Sequence, residues 1–315
     1  MSIRTLAVVM DPITEINTKK DTSFALMLEA QRRNYVLHYI QLNDLFIDNG
    51  KAKAHSHIVT LTDRPEDYYE SVSEQTINLG DMDVILMRKD PPFDSQFLYA
   101  THMLELAERE GAVVVNKPQA LRDYNEKLFT ALYPEFIPDT LVTTKKSDFK
   151  AFHKIHKDII CKPLDGMGGT SIFRVGEDGT NLGVISEVLT ENGTKHAMVQ
   201  RYMPEIVSGD KRILLVDGKV VPYCLARIPA ANETRGNLAA GGSGVAQEVN
   251  AEDMQVAQQI AKDMPQRGIL FVGLDMIGNK VTEINITSPT CVREIESAYS
   301  INICGQLFDA IEKRL

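Results

Sequence analysis

A lysine followed by glycines is the first feature of the chain that could do chemistry. In CKPLDGMGGTSIFRV, residues 161–175, Lys162 precedes a run of small and hydroxyl-bearing residues: Gly166, Gly168, Gly169, Thr170 and Ser171. Successive glycines let backbone N–H groups approach an anion closely. The stretch fits neither a Walker loop nor a dinucleotide fingerprint, which would need a lysine after the glycines or a third glycine at position 171. A plain hairpin turn is the alternative, but a lysine near the end of an apolar strand needs an anionic partner.

Oxygen-bearing side chains recur in GLDMIGNKVTEIN, residues 273–285. Glu283 and Asn285 are two apart on a predicted strand and therefore share a face, while Asp275 lies on the other arm of a hairpin. A three-residue turn would place Asp275 opposite Glu283, whereas a two-residue turn would place it on the wrong face. In the first register the three side chains suit a hard ion such as Mg²⁺ shared with nucleotide phosphates; the alternative is a solvated polar face.

Basic residues border apolar strands, where an unpaired charge would be costly. Arg212 and Arg227 are of this kind, and Arg235 lies in the middle of a loop of small residues, 228–244. Such a loop is either a mobile active-site lid or a disordered insertion, and its central arginine favours the lid.

The elements that must position these groups follow from apolar periodicity. Before residue 120, short apolar runs such as TLAVVM and DVILMR alternate with helical stretches, one starting at the N-cap candidate Asp21 and one closed by Gly111. This order predicts a Rossmann-like α/β unit with a parallel sheet. Arg88 ends one predicted strand and Asp11 follows another, so both are expected at the sheet edge where open α/β proteins bind ligands.

After Asn116 the pattern becomes α+β. Glycine-containing turns divide the apolar runs of VDGKVVPYCLARIP and FVGLDMIGNKVTEIN, which indicates antiparallel hairpins, and helical segments lie between them.

Composition narrows the function classes. The 315 residues allow two or three domains, and 43% hydrophobic with 24% charged residues is typical of a soluble globular protein. A formal charge of -9 and a pI of about 5.4 disfavour nucleic acid as a partner. The four cysteines are far apart, which favours a reducing cytoplasm over disulfides or a zinc site. No apolar stretch approaches the roughly 18 residues that span a bilayer, so no membrane partner is expected.

Several strings distributed over the whole chain resemble the bacterial glutathione synthetases, a family of the ATP-grasp superfamily. They are MRKDPPFD, NKPQALRDYNEKLF, KPLDGMGGTSIFRV, ARIPAANETRGNLAAGG, GLDMIG and TEINITSPTCVREIE. The resemblance implies an α/β and α+β ATP-grasp fold. It divides the chain into a Rossmann-like N-terminal substrate domain, a small lid subdomain and an antiparallel-sheet catalytic subdomain with the mobile loop 228–244: residues 1–122, 123–200 and 201–315.

The same resemblance implies the reaction. ATP phosphorylates the cysteinyl carboxylate of γ-glutamylcysteine, and glycine attacks the acyl phosphate to give glutathione, ADP and phosphate, with Mg²⁺ or Mn²⁺ as the metal. It also implies a cytoplasmic homo-oligomer, a tetramer. Two other activities stay open: a related ligase that adds an amino acid to another peptide or a protein tail, and a nucleotide-binding module without turnover.

Site residues are carried over from the family motif by motif. Lys127, Lys162 and the glycine loop, Gly166 to Ser171, would hold the ATP phosphates. The adenine and ribose would be bound by Gln200, Arg201, Tyr202, Met203 and Asp210. The metal ligands would be Asp275, Glu283 and Asn285. The groups that stabilise phosphoryl transfer would be Lys162, Arg212, Arg227 and the lid residue Arg235, and the substrate end would be formed by Asp11, Arg88, Ser288, Thr290 and Arg293.

Overall fold

Three sheets form the frame of the protein in a computed structural model that describes residues 3–236, 238 and 241–315. The strands are β1 Arg4–Val9, β2 Tyr35–Ile40, β3 Leu45–Asp48, β4 Lys51–Leu61, β5 Tyr69–Asn78, β6 Val84–Met87, β7 Val113–Val115, β8 Thr140–Thr143, β9 Ile159–Pro163, β10 Phe173–Val175, β11 Ala197–Arg201, β12 Asp210–Val216, β13 Lys219–Ile228, β14 Ser243–Glu248, β15 Phe271–Ile277 and β16 Lys280–Asn285. The α-helices are α1 Thr22–Arg32, α2 Ser95–Glu110, α3 Pro118–Asp123, α4 Lys146–His156, α5 Leu182–Leu189, α6 Ala251–Ala261, α7 Val292–Tyr299 and α8 Ile303–Glu312.

The first sheet is mixed, with the order β3-β4-β2-β1-β6-β7 and β5 paired to β4. Its parallel half, β2-β1-β6-β7, confirms the Rossmann-like prediction. The antiparallel strands β3, β4 and β5 were not predicted, because β5 is polar and exposed over most of its length and carries no apolar face to detect.

Helix caps follow the predicted chemistry. The side chain of Asp21 accepts from the backbone N–H of Phe24 at 2.6 Å and starts α1. Gly111, at φ +121°, ends α2 in a conformation that favours glycine. These caps fix where the helices end relative to the strand ends that carry polar groups.

The second and third sheets are antiparallel, as predicted. The second has the order β10-β9-β11-β8 and packs α4 and α5 over a small core of its own, around Phe149 and Ile185. The third has the order β14-β13-β12-β15-β16. The pairing of β9 with β10, in which Cys161 faces Phe173, makes the glycine loop the connection of a hairpin.

A buried asparagine joins the first sheet to the third. Asn116, just after β7, donates to the carbonyls of Phe271 and Ile286, both at 2.7 Å, and its Oδ1 accepts from the N–H groups of Leu270 and Phe271 at 2.8 and 3.0 Å. All four hydrogen-bonding positions of this side chain are thereby used. The two larger hydrophobic clusters both run through this junction. No helix in the described part of the chain is long and apolar enough to cross a membrane.

Candidate active site

The second and third sheets face each other across a cleft. Lys162 at the end of β9 lies 3.4 Å from the carbonyl oxygen of Thr282 on β16, so the lysine strand and the acidic hairpin are in direct contact. The cavity between them is lined by Lys127, Lys162, Gly166, Gly168, Gly169, Thr170, Gln200, Arg201, Tyr202, Met203, Asp210, Arg235, Asp275 and Glu283. The fold therefore brings together residues that are widely separated in sequence.

Two buried lysines share the carboxylate of Glu283. The Nζ atoms of Lys127 and Lys162 lie 3.5 and 3.6 Å from the same Oε1. Lys127 also donates to the carbonyl of Gly166 at 2.8 Å and to the carboxylate of Glu126. Burial lowers the pKa of Lys162, and Glu283 offsets this only in part. Burial acts in the same direction on Lys127, but Glu283 and Glu126 outweigh it and raise its pKa.

The glycine loop has left-handed backbone at three positions. Gly168, Gly169 and Ser171 have φ of +62°, +82° and +58°. Thr170 lines the cavity, whereas Ser171 is exposed and does not line it. The structure thus does not bring Ser171 to the predicted phosphate site, although its neighbours Thr170 and Ile172 both line the cavity.

The end of β11 and the residues that follow it form another wall of the cavity. The buried Gln200 donates to Thr140 Oγ1 at 3.0 Å, and the ring of Tyr202 lies under the guanidinium of Arg174, 3.8 Å from ring centroid to Cζ. These contacts hold the two side chains in place, and the buried Met203 adds an apolar surface. The wall suits a flat, partly apolar ring.

Two guanidinium groups converge on Asp275. Arg212 donates to its two oxygens at 2.6 and 3.0 Å, and Arg227 Nη2 lies 3.0 Å from Oδ1. Arg227 also donates to Asp210 at 2.6 Å. Burial acts to raise the pKa of Asp275, but the two arginines outweigh it and hold the pKa well below its usual range. Burial raises the pKa of Asp210 to about 7, although the charge of Arg227 acts against it.

The acidic hairpin reaches the predicted face by a different route. Ile277 pairs with Lys280, so the turn has two residues, Gly278 and Asn279, rather than three. A bulge on the β16 side, where Met276 pairs with Val281 and Asp275 with Glu283, restores the facing of the two carboxylates. Asp275 thus faces Glu283 although the turn has two residues. The expectation that such a turn would put Asp275 on the wrong face was wrong, because a bulge shifts the register as an extra turn residue would.

The donor set at this hairpin fits a hard divalent ion that is shared with phosphates. Among the described residues no three His, Cys, Asp or Glu side chains are grouped to hold a metal. Asp275 and Glu283 supply carboxylates, and Asn285 donates its Nδ2 to Asp275 at 3.2 Å, which leaves its carbonyl oxygen as the acceptor. Mg²⁺ commonly completes its shell with phosphate oxygens and water.

A second cavity adjoins the first and shares Asp275 and Glu283 with it. It is also lined by Asp90, Glu126, Gly168, Arg212, Arg227, Asn285, Ser288 and Thr290. The Thr290 hydroxyl accepts from Arg212 Nη1 at 3.3 Å. The predicted substrate residues Ser288 and Thr290 therefore lie beside the arginine cluster.

Arg88 is buried next to this cavity. Its Nε donates to Ser23 Oγ at 3.0 Å and its Nη2 to the Pro289 carbonyl at 2.9 Å, while its buried Nη1 has no partner among the described residues. Such an N–H is a place for an acidic oxygen. Asp11 accepts from the Asp90 backbone N–H at 2.9 Å, so it shapes the loop that presents Asp90.

Arg293 lies elsewhere, contrary to the prediction that it completes the substrate end. Its Nη2 donates to both carboxylate oxygens of Asp63 at 2.8 and 3.0 Å, and its Cζ lies 5.6 Å from the ring centroid of Phe24. It lines a separate surface cavity. The first turn of α7 carries this side chain toward the first sheet rather than toward the cleft.

The predicted lid rests on the cleft where the structure describes it. Arg235 donates to the Gly169 carbonyl at 3.0 Å, which joins this loop to the glycine loop. A Cβ on Gly236 would lie 2.5 Å from the carbonyl oxygen of Arg227, so only glycine permits this close seat on β13. Within the predicted mobile loop, Asn237, Ala239 and Ala240 lie outside the described residues.

Sequence reasoning missed three residues of the site. Glu126 and Asp90 line the second cavity, and Gly273 lets Arg212 cross β15, since a Cβ there would lie 2.9 Å from Arg212 Cδ. Glu126 is placed by a backbone hydrogen bond from Ile284, N to O 2.9 Å. Its position directly before Lys127 was the only local signal.

Comparison with known proteins identifies the family. Residues 5–122 match the N-terminal domain of prokaryotic glutathione synthetase, and residues 126–300 match its ATP-grasp domain. The chain is 59% identical to a glutathione synthetase of Vibrio parahaemolyticus and 57% identical to one of Escherichia coli strain K12, each over 98% of both chains.

Solved structures agree on the fold at low sequence identity. A D-alanyl-alanine synthetase A from Vibrio cholerae superimposes with a TM-score of 0.64 at 12% identity, covering 100% of this chain and 99% of that one. The D-cycloserine synthetase DcsG gives a TM-score of 0.68 at 13% identity, covering 99% and 100%. The cleft between the second and third sheets carries the lysines and arginines of a nucleotide site, and the similarity covers the full length. The chain therefore belongs to the prokaryotic glutathione synthetases, ATP-dependent ligases of the ATP-grasp fold.

Proposed function

We propose that the cleft joins γ-glutamylcysteine to glycine at the expense of ATP. The observation that supports this most directly is the pair of adjoining cavities that share Asp275 and Glu283. One has the basic and glycine-rich lining expected for a nucleotide, and the other has the two arginines at its floor. A phosphoryl group can therefore pass from one cavity to a carboxylate in the other.

The nucleotide cavity divides into a ring end and a phosphate end. Gln200 to Met203 line the end that suits adenine, and Asp210, which also lines the cavity, would meet the ribose. Lys127, Lys162 and the N–H groups of the glycine loop hold the phosphates. Asp275, Glu283 and Asn285 would hold Mg²⁺ or Mn²⁺, which neutralises phosphate charge when it is bound.

The chemistry then runs in two steps. A cysteinyl carboxylate oxygen bonds to the γ-phosphorus while the bond from that phosphorus to the β,γ-bridging oxygen breaks, which gives an acyl phosphate and ADP. The glycine nitrogen attacks the acyl carbon, the carbon–oxygen bond to phosphate breaks, and the protons lost by nitrogen pass to water and phosphate. Arg212 and Arg227 stabilise the charge that develops on the transferred oxygens.

The loop that carries Arg235 protects the acyl phosphate intermediate from water. An acyl phosphate hydrolyses when water reaches it, so a cover over the two cavities favours ligation over loss of phosphate. We propose that the loop 228–244 opens to admit substrates and closes with Arg235 and Gly236 seated as described above. We also propose a cytoplasmic homotetramer, on family resemblance alone; light scattering on the purified protein tests the oligomeric state.

The decisive experiment measures ADP release with γ-glutamylcysteine, with and without glycine, and identifies the product by mass spectrometry. Lys162→Ala should lower kcat/KM for ATP by roughly 10- to 100-fold, because a hydrogen bond from a charged group is lost. Lys150→Ala, an exposed lysine of α4, is the control and should match the wild type. Absence of glycine-dependent turnover in the wild type would reject the proposed reaction.

The same product analysis tests the choice of substrates. A ligase for other peptides or protein tails would accept the nucleotide but leave γ-glutamylcysteine and glycine unjoined.

A further inference from the structure

The second cavity contains an acidic side chain that the reaction has not used. Glu126 directly precedes Lys127 and lies against β16, and its side chain is 14% exposed. The same residue also lines a neighbouring, more apolar cavity on its other side, next to Phe93, Tyr124 and Ile286. Its carboxylate therefore stands at the junction between the reaction centre and this neighbouring cavity.

Contacts place Glu126 beside the phosphate end of the nucleotide cavity, although it lines the second cavity. Its carboxylate accepts from Lys127, whose Nζ lies 3.5 Å from Glu283 and 2.8 Å from the carbonyl oxygen of Gly166. Its backbone carbonyl is fixed by Ile284 on β16. The carboxylate is thus close to where the γ-phosphoryl group must be transferred.

The residues named so far give no partner to the ammonium group of the acceptor amino acid. Arg212 and Arg227 are cations suited to phosphoryl and carboxylate oxygens, whereas the acceptor amino acid arrives with an ammonium group. That nitrogen must come next to the acyl phosphate carbon, at the same end of the cavity as Glu126. Asp275 is held by two arginines and Glu283 by two lysines, and the fourth acid of the cavity, Asp90, belongs to the loop after β6, on the Asp11 side.

We infer that Glu126 binds the ammonium group of the incoming amino acid and positions its nitrogen, which attacks the acyl carbon once one of its protons has passed to water. This inference rests on the proposed function and names the residue that accepts the second substrate. One carboxylate oxygen stays with Lys127 while the other faces the amine. A carboxylate at this place also favours a free amino acid over a neutral nucleophile.

The test compares glycine with hydroxylamine, a nucleophile that is uncharged at neutral pH and so needs no carboxylate. Wild-type glycine-dependent ADP release is measured first, since its absence rejects the proposed function rather than this inference. Glu126→Gln should then lower kcat/KM for glycine by roughly 10- to 100-fold, the size expected for a lost charged hydrogen bond. Hydroxamate formation from γ-glutamylcysteine and the KM for ATP should change less than about 3-fold, below the effect of such a bond.

Control variants separate positioning from mere support of Lys127. Glu135→Gln changes an exposed carboxylate and should match the wild type in every measurement. Glu126→Asp should recover part of the glycine activity. An unchanged glycine kcat/KM in Glu126→Gln, or a parallel loss of glycine and hydroxylamine turnover, overturns the inference. A loss of kcat/KM for glycine, but not of hydroxylamine turnover, in Asp90→Asn instead of Glu126→Gln would also overturn it.

Discussion

The buried charges of the cleft are balanced residue by residue. Asp275 is the counter-ion of both Arg212 and Arg227, and its side chain is only 4% exposed. Removal of one member of such a network leaves buried charges unpaired, which costs far more than the loss of a surface ion pair.

Asp275→Asn should therefore lower the free energy of unfolding by about 3–5 kcal/mol. The matched control, Asp63→Asn, removes a carboxylate that is 56% exposed beside Arg293 and should cost about 0–1 kcal/mol. Because the arginines hold the pKa of Asp275 below the ordinary value of 3.8, the stabilisation is present above that pH and is lost as the pH falls below it. Urea unfolding from pH 7 to about pH 2 measures this; equal losses in the two variants would contradict the role of the network.

Single site residues were predictable from sequence where a charged side chain lies in an apolar strand, because an unpaired buried charge there would be costly. Lys162 after an apolar strand and Arg227 within one indicated buried partners by their sequence context alone. Glu126 did not, because its burial depends on β16, more than a hundred residues away in the chain. Arg293 was assigned from a family string, and only the direction of α7 shows that it points elsewhere.

At the scale of elements, the site depends on two loops that meet over one cavity. Gly236→Ala should unseat the lid, because the added Cβ would lie 2.5 Å from the Arg227 carbonyl oxygen and 2.9 Å from Asp210 Cβ. We expect more ADP released per glutathione formed, as water reaches the acyl phosphate. Gly176→Ala is the control, since nothing lies within 4 Å of a Cβ there. A tightly coupled Gly236→Ala enzyme would show that the seat on β13 is not needed for protection.

Elements were predictable where periodicity and caps agree. The helix that begins after Asp21 and the one that ends before Gly111 are confirmed, as are the hairpins β12-β13 and β15-β16. The hairpin of β4 and β5 was missed, because β5 is polar and exposed over most of its length and carries no apolar alternation. The bulge at Thr282 was equally invisible, because one extra residue in a strand leaves no mark on composition.

For the whole molecule, the cores differ in size and in connection. The first and third sheets share large hydrophobic clusters joined at Asn116, whereas the second sheet has a small core of its own. The sequence predicts the change from α/β to α+β, but not this sharing, which arises from contacts between distant segments. A small separate core should open more readily than the shared ones.

The labelling rates of the four buried cysteines can measure how readily each core opens. Burial raises the pKa of Cys161 to about 12 and that of Cys224 to about 11, and Cys291 and Cys304 are shifted in the same direction, so native labelling by iodoacetamide should be slow at all four. In urea below the main transition, Cys161 in the small core should be modified first, as followed by peptide mass spectrometry. ATP with Mg²⁺ should slow that modification. Nucleotide that binds at Lys162, next to Cys161 on β9, stabilises the folded second sheet by mass action. Simultaneous labelling of all four thiols, with or without nucleotide, would instead mean that the second sheet unfolds only with the rest of the protein.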